Sequence, residues 1–577
     1  MRPLLLLSVL SIVHAAAATT APAPPPAADL VLHGGKVITV DAADRIAQAI
    51  AVRGERIVAV GSDAEVLALA GPGTRTVDLR GRTVTPGLID AHNHFQDGAL
   101  VRYERIDLGY PAVGSVIDAQ RLVAERASRA ASGEWVIGSG WDEGKLAEKR
   151  YIRASDLDAV AGDHPVWLEH TSGHYGVANS AALRMAGIGR ETPDPPFGTI
   201  DRDPDGAPTG VLKESAMRAV NALLPDYTPA QRENAVARFA REFGAECMTA
   251  AKEPGIDESA WNTYRTVEAR GELPVRIFVL WDGGTTLEEA RALIARRAAS
   301  TRPYGNGGND NLISGGVKLY MDGSGGARTA WLRAPWNRNR TEVDGNNTGY
   351  PASDPEVLRR MIALYHEAGM HVSVHAIGDR AIDETVDSYA AALAAHPVKG
   401  LRHGIIHANI PSDHALATMA RLQREFDAAF PEPSATFTWY LGDVYAANFG
   451  DRARRLNPLA SYQRMGIRWA NGSDFSVTPF PARYGIWAAV ARQTLLDAPG
   501  DPFGRAEAVD VRAALRAVTI WAAHQLFLDD RTGSIEVGKY ADLAVWDRDP
   551  YTVPTAALKD MRCEMTVFSG KTVYGKL

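Results

Sequence analysis

The sequence predicts an α/β chain: a (β/α)8 barrel joined to a composite β-sandwich domain built from both chain ends. Three observations predict it. Short apolar runs of strand type alternate with helix-like segments through the middle of the chain, the pattern of a parallel barrel. Both ends are instead made of short strands with tight turns. Histidines, a lysine and an aspartate fall where the barrel strands end, the rim on which such folds carry chemistry.

The first residues read as a secretory signal, 1–18. Arg2 gives a positive start, Leu4 to Val13 is a short apolar core, and Val13-His14-Ala15 and Ala15-Ala16-Ala17 are small-residue cleavage sites. The core is too short to span a bilayer, and no cysteine follows it, so no membrane anchor is expected after cleavage. A Pro/Ala linker covers 19–28. The mature chain is expected to be exported, periplasmic in a Gram-negative source or otherwise secreted.

Residues 29–84 and 525–577 form the composite β domain. Leu30-Val31-Leu32 and Lys36 to Val40 come first. Ala49–Val52 and Arg56–Val60 flank a hairpin turn at Arg53-Gly54-Glu55. Ala541–Trp546 and Met565–Tyr574 repeat that grammar at the other end.

Residues 85–524 hold eight expected barrel strands: Val84–Ile89, Cys247–Ala251, Val275–Leu280, Gly316–Tyr320, His371–His375, Leu401–His407, Ala435–Tyr440 and Ile467–Ala470. The gap between the first two is too long for one crossover, so about 100–240 is an insertion.

Composition narrows the function. The 577 residues are 46% hydrophobic and 23% charged, as in a soluble globular protein of more than one domain. Lys plus Arg is 62 and Asp plus Glu 69, a net charge of −7, which leaves no basic footprint for nucleic acid. A small-molecule substrate is the expected partner, with a homo-oligomer left open. The two cysteines, Cys247 and Cys563, make no disulfide framework and are expected to be free.

The rim residues carry the chemistry. His92 and His94 follow the first strand two residues apart. Alternation would put them on one face, about 6–7 Å apart along a strand, a spacing that suits one divalent metal. Lys318 stands at the end of the fourth strand, His375 of the fifth, His407 of the sixth and Asp474 of the eighth. His371 and His403 share the parity of His375 and His407 but lie about 13 Å further down the barrel. That is too far to share a metal, and they are read as barrel lining.

The motifs together resemble the metal-dependent amidohydrolase superfamily, most closely the branch containing N-substituted formamide deformylase. The matching pieces are Thr85 through His94, Val317-Lys318 with Asp322-Gly323-Ser324, His375-Ala376-Ile377-Gly378-Asp379, Arg402 through His407, Gly472-Ser473-Asp474, and Gly533 through Leu543. The resemblance implies hydrolysis of an amide-like bond by metal-activated water. It implies a metal set of His92, His94, Lys318, His375, His407 and Asp474, holding one or two divalent ions, zinc foremost. Asp474 would act as general base and then acid. Lys318 would be carbamylated, because an ammonium has no lone pair for a metal; a salt bridge from unmodified Lys318 to Asp322 is the alternative. Thr171-Ser172-Gly173-His174 is similar to a family segment usually written Asp-Gly-His, with Ser172 in place of the Asp. His174 is the further catalytic candidate. The competing functions are a one-metal deaminase or cyclic-amide hydrolase, and an exported binding protein without turnover.

Overall fold

The computed structural model describes residues 26–301, 309–336, 346–496, 501 and 503–577. The expected signal peptide and most of the linker lie outside the described residues. Among the described residues no helix is long and apolar enough to cross a membrane.

Seven parallel strands form the central sheet, each beside its sequence neighbour. They are β1 (Leu88–Asp90), β2 (Met248–Ile256), β3 (Arg276–Asp282), β4 (Leu312–Tyr320), β5 (His371–Ala376), β6 (Gly404–His407) and β7 (Phe430–Glu432). Nearly every residue in them is buried. Burial on both faces is why these strands read as continuous apolar runs and not as alternation.

Three expected strands differ. Val84–Ile89 is broken at Gly87: Thr83–Pro86 joins the sheet shared by both chain ends, and only Leu88–Asp90 lies in the central sheet. Ala435–Tyr440 is not the seventh strand: Thr436–Tyr440 is helical, and the strand is Phe430–Glu432. The Thr-Phe-Thr-Trp-Tyr run has strand propensity, but packing overrides it, since Phe437 inserts into an apolar cluster with Leu441, Tyr445 and Phe449. Ile467–Ala470 makes no regular ladder. Its continuation nevertheless hydrogen-bonds to both edges of the sheet. Ala470 N donates to Pro431 O (3.2 Å) and Gly472 N to Pro433 O (3.2 Å) on one side; Ala91 N donates to Asn471 O (3.2 Å) on the other.

Strands from both chain ends share one six-stranded sheet. Thr83–Pro86 pairs antiparallel with Leu543–Trp546, Leu543 opposite Pro86 and Trp546 opposite Thr83. A four-stranded sheet contains the expected hairpin, Arg53 opposite Arg56, with Gly54 at φ 56°. The two sheets bury a common core, including Leu32, Val52 and Val77 from one and Val84, Val545 and Val567 from the other.

Cys247 and Cys563 are not free. They form a disulfide between residues 316 apart in sequence, with Cα atoms 5.5 Å apart. Cys247 immediately precedes β2, and Cys563 opens a strand of the composite sheet (Cys563–Phe568). The bond therefore ties the C-terminal segment to the base of the central sheet.

The insertion has a six-stranded sheet of its own, including Val136–Trp141, Val166–His170, Tyr175–Ala178 and Pro208–Glu214. A separate apolar cluster, with Trp141, Leu168 and Tyr175 in it, holds that sheet together.

Candidate metal centre

The chain leaves β1 at Asp90 and begins a helix at Phe95 (Phe95–Glu104), so His92 and His94 sit in the turn between and not on the strand. Asp90 shapes that turn. Its Oδ1 accepts from His92 N (3.2 Å) and Ser473 N (2.8 Å), and its Oδ2 from Asn93 Nδ2 (2.9 Å) and Ser473 Oγ (2.6 Å). One carboxylate thus locks the first histidine loop to the loop carrying Asp474, and Asp474 N donates to His92 O (2.8 Å). Burial pushes the Asp90 carboxyl up to about 6, against these hydrogen bonds. Close approach also demands a glycine here, because a Cβ on Gly472 would lie 2.6 Å from His92 Cβ.

The predicted rim residues converge. His92 Nε2 and His94 Nε2 each lie 3.3 Å from Asp474 Oδ1, and His407 Nε2 lies 3.9 Å from Asp474 Oδ2. The rings of His92 and His407 are 5.3 Å apart, and those of His375 and His407 4.7 Å. His407 stacks on Phe437, from the helix misread as a strand, at 5.3 Å. His407 (φ 70°) and Asp474 (φ 56°) both take left-handed backbone, uncommon for non-glycine residues.

The donor chemistry fits a divalent cation. His92 is fully buried, and neither ring nitrogen has a hydrogen-bond partner; His407 Nδ1 is likewise buried and unpartnered. An unpaired buried polar atom costs about 1–3 kcal/mol, and a metal satisfies such nitrogens. Burial holds the rings of His92, His375 and His407 neutral, His407 down to about 3, so their lone pairs are available. Burial would raise the Asp474 carboxyl, but His92 and His94 beside it hold it well below the usual range. Among the described residues, His92, His94 and Asp474 offer ligand atoms all within 4.8 Å of one another.

Lys318 lies at the end of β4, 1% exposed, and lines the same cavity. The salt bridge to Asp322 is not formed. Asp322 instead accepts from the backbone N–H groups of Trp331 (2.8 Å), Ile377 (3.0 Å) and Gly378 (2.8 Å). Burial brings the Lys318 ammonium down to about 8. Below the site, Lys252 Nζ pairs with Glu432 (2.6 Å) and Ser373 (2.9 Å), a fully buried ion pair.

His174, from the insertion, faces the same cavity, its ring 5.1 Å from that of His375. Its Nδ1 is 3.1 Å from both oxygens of Glu214, and Glu214 in turn accepts from Thr329 Oγ1. Burial alone would lower the His174 ring, but the Glu214 charge holds it above the ordinary value. Glu214 and Lys252 escape a motif-based reading, because each acts through a partner distant in sequence; Asp90 lies inside the first motif, but its tie to Ser473 is visible only in the fold. The cavity over these groups has a volume of about 680 Å³.

His371 and His403 line the sheet interior as expected. His371 Nδ1 contacts Leu401 O (3.0 Å), and His403 Nδ1 accepts from Val372 N (3.1 Å). A second group, Asp142, Glu143 and His170, also gathers possible ligand atoms within 4.8 Å. There His170 Nδ1 accepts from Ser172 N (3.0 Å), so the neutral ring carries its proton on Nε2, 3.4 Å from Glu143. That tautomer leaves no lone pair on Nε2 for a metal.

An amidohydrolase family model matches residues 75–574. The chain is 30% identical over 562 residues to N-substituted formamide deformylase of Arthrobacter pascens, covering 95% of this chain and 98% of that protein. It is 30% identical over 575 residues to Protein LONG AFTER FAR-RED 3 of Arabidopsis thaliana, covering 95% and 93%. An uncharacterized metal-dependent hydrolase from Pyrococcus horikoshii has the same fold, with a TM-score of 0.70 at 21% identity, covering 91% of this chain and 99% of that one.

Proposed function

We propose, from the premise that the chain belongs to the amidohydrolase family and is a metal-dependent hydrolase, that it cleaves an amide-like carbon–nitrogen bond outside peptides. N-acyl, N-formyl and cyclic amides are the substrate classes. The observation that carries the reading is the convergence of His92, His94, His407 and Asp474, with buried, unpartnered ring nitrogens among them.

His92, His94, His375, His407 and Asp474 would hold one or two ions, zinc foremost, with Lys318 as a carbamate between two. When bound, such an ion supplies Lewis acidity at a carbonyl and lowers the pKa of water. Asp474, kept ionised, accepts a proton from the attacking water and returns it to the leaving nitrogen, as the C–O bond forms and the C–N bond breaks. His174, whose cationic form Glu214 favours, would donate from Nε2 to the carbonyl oxygen as negative charge grows on it.

The same reading takes the segment after Ile467 as the eighth stave of a closed barrel over 85–524, supported by its hydrogen bonds to both sheet edges. It takes 29–84 and 525–577 as a sandwich domain, and the chain as exported, which the disulfide supports, because such bonds persist in oxidising compartments.

Metal analysis with a hydrolysis screen tests it. One to two equivalents of zinc or a similar ion are expected, with N-substituted formamides, N-acyl amines and cyclic amides as the panel. Chelation should abolish turnover. Full activity in metal-free protein would end the reading, and exclusive release of ammonia from amidine-like rings would favour a deaminase.

A further inference from the structure

A second cavity, of about 480 Å³, adjoins the one over the metal centre. The two share five lining residues: Val101, Ser139, Gly140, Thr171 and Ser476. These are small or short side chains, and two are tied back from the passage. Ser139 Oγ accepts from Arg105 (3.0 Å), and Thr171 Oγ1 donates to Val477 O (2.9 Å). Gly140 adds no side chain, in backbone at φ 105°.

Beyond the passage the walls are aromatic: Tyr110, Tyr440, Phe475, Phe480 and Tyr484. Phe475 is braced edge-on by Phe480 at 5.4 Å and stacked on Phe239 at 4.7 Å; Tyr484 packs on Trp439 at 5.0 Å. Most charged groups around this cavity are held in ion pairs. Arg102 binds Glu242 (2.9 Å), Glu246 binds Arg483, and Asp107 Oδ1 accepts from Gly109 N (2.8 Å). A ligand there meets aromatic faces, and Asp107, an exposed lining carboxylate held only by a backbone N–H, disfavours an anionic one.

We propose that this second cavity is the subsite for an uncharged hydrocarbon substituent of the substrate, alkyl or aryl, threaded from the metal centre past Gly140 and Ser476. The proposal rests on the amide-hydrolase reading for the part of the substrate left at the metal. Burying each methylene is worth about a three- to fourfold gain in binding, so the subsite has a measurable signature.

The experiment uses the metal-loaded protein and two series: N-alkylformamides from methyl to hexyl, and N-methylalkanamides of matching chain length. For hydrolysed members kcat/KM is read; for the others, Kd by tryptophan fluorescence. In at least one series each added methylene should improve the constant about three- to fourfold. Tyr484→Ala, which removes an aromatic wall, and Val101→Trp, which fills the passage from a half-exposed helix position, should flatten that gradient. A wild-type constant independent of chain length in both series, or a gradient that survives both variants, overturns the subsite. A gradient in binding without hydrolysis of any member keeps the subsite and sinks the hydrolase reading. Hydrolysis without a gradient does the reverse.

Discussion

With the proposed metal bound, Lys318 would be incompatible with its surroundings unless it were modified. Its Nζ shares a cavity with His92, His94, His375, His407 and Asp474. An ammonium about 4 Å from a unit positive charge costs about 4 kcal/mol at an effective dielectric of 20, and about twice that against a divalent ion. Burial has already brought its pKa down to about 8, so the neutral amine that reacts with CO₂ grows rapidly between pH 7 and 9. That reaction, amine plus CO₂ giving carbamate and a proton, turns three donors into two metal-binding oxygens. Lys318→Ala should lose metal and activity together, with partial return on adding a short carboxylic acid and metal. Lys318→Arg should do no better than Ala. Mass measurement under mild conditions should show the added carboxyl. Two bound metals beside a bare amine would remove the bridging role.

His174 carries the other residue-level prediction. Burial pulls its ring down, and Glu214 more than reverses that. A histidine whose folded pKa is raised contributes stability that is fully present below its unfolded value, about 6.5, and lost as pH rises through the folded value. Glu214→Gln keeps a hydrogen-bond acceptor and removes the charge. The stability gap between wild type and variant should therefore be widest in acid and close in base. The basic limb of kcat/KM should move to lower pH in the variant, because the cationic ring is then lost earlier. A limb that stays in place would mean that His174 does not donate to the substrate.

At the scale of elements, the ends of β4 and β5 are coupled by Asp322, whose carboxylate gathers three backbone N–H groups. Burial raises its carboxyl to about 7 in spite of those bonds. Next to it, Gly323 O lies 3.0 Å from His375 Nε2, so the same loop aims a histidine of the proposed metal set. Asp322→Ala leaves three N–H groups without an acceptor, at about 1–3 kcal/mol each. Its thermal midpoint should fall by several degrees and metal affinity with it, and Asp322→Asn should be milder. An unchanged midpoint in the Ala variant would mean that the loop is held elsewhere. Much at this scale was legible in the sequence. The rim residues were readable because barrel chemistry clusters at strand ends, and His92, His94, Lys318, His375, His407 and Asp474 do line one cavity. The argument for His92 and His94 from strand alternation does not hold, since Asp90 folds them into a turn. The seventh strand was hidden because Phe430-Pro431-Glu432 contains a proline, which weakens any strand pattern, beside a run of higher strand propensity that packing makes helical. Glu214 was invisible for a different reason. Its role exists only once the insertion lies over the rim, and no local pattern encodes that.

At the scale of the whole molecule, the chain returns on itself. Its C-terminal strands pair with its N-terminal ones, and the Cys247–Cys563 disulfide fixes that return to the base of β2. Reading two isolated cysteines as free fails because their proximity is a product of this closure and not of spacing. A cross-link that spans 316 residues restrains the unfolded chain more than a short one, and native disulfides contribute about 2–5 kcal/mol. Cys247 is fully buried and Cys563 partly so. The double variant Cys247→Ser with Cys563→Ser separates the bond from the thiols. Its thermal midpoint should be several degrees below that of the oxidised protein and close to that of wild type unfolded in the presence of reductant. The variant keeps every rim residue, so metal content and kcat should stay near wild type at low temperature. Protein isolated from its native host should begin between about Ala16 and Pro26 and should lack free thiols under denaturing conditions. A chain that begins at Met1 with two titratable thiols would remove both the staple and the export that the bond supports.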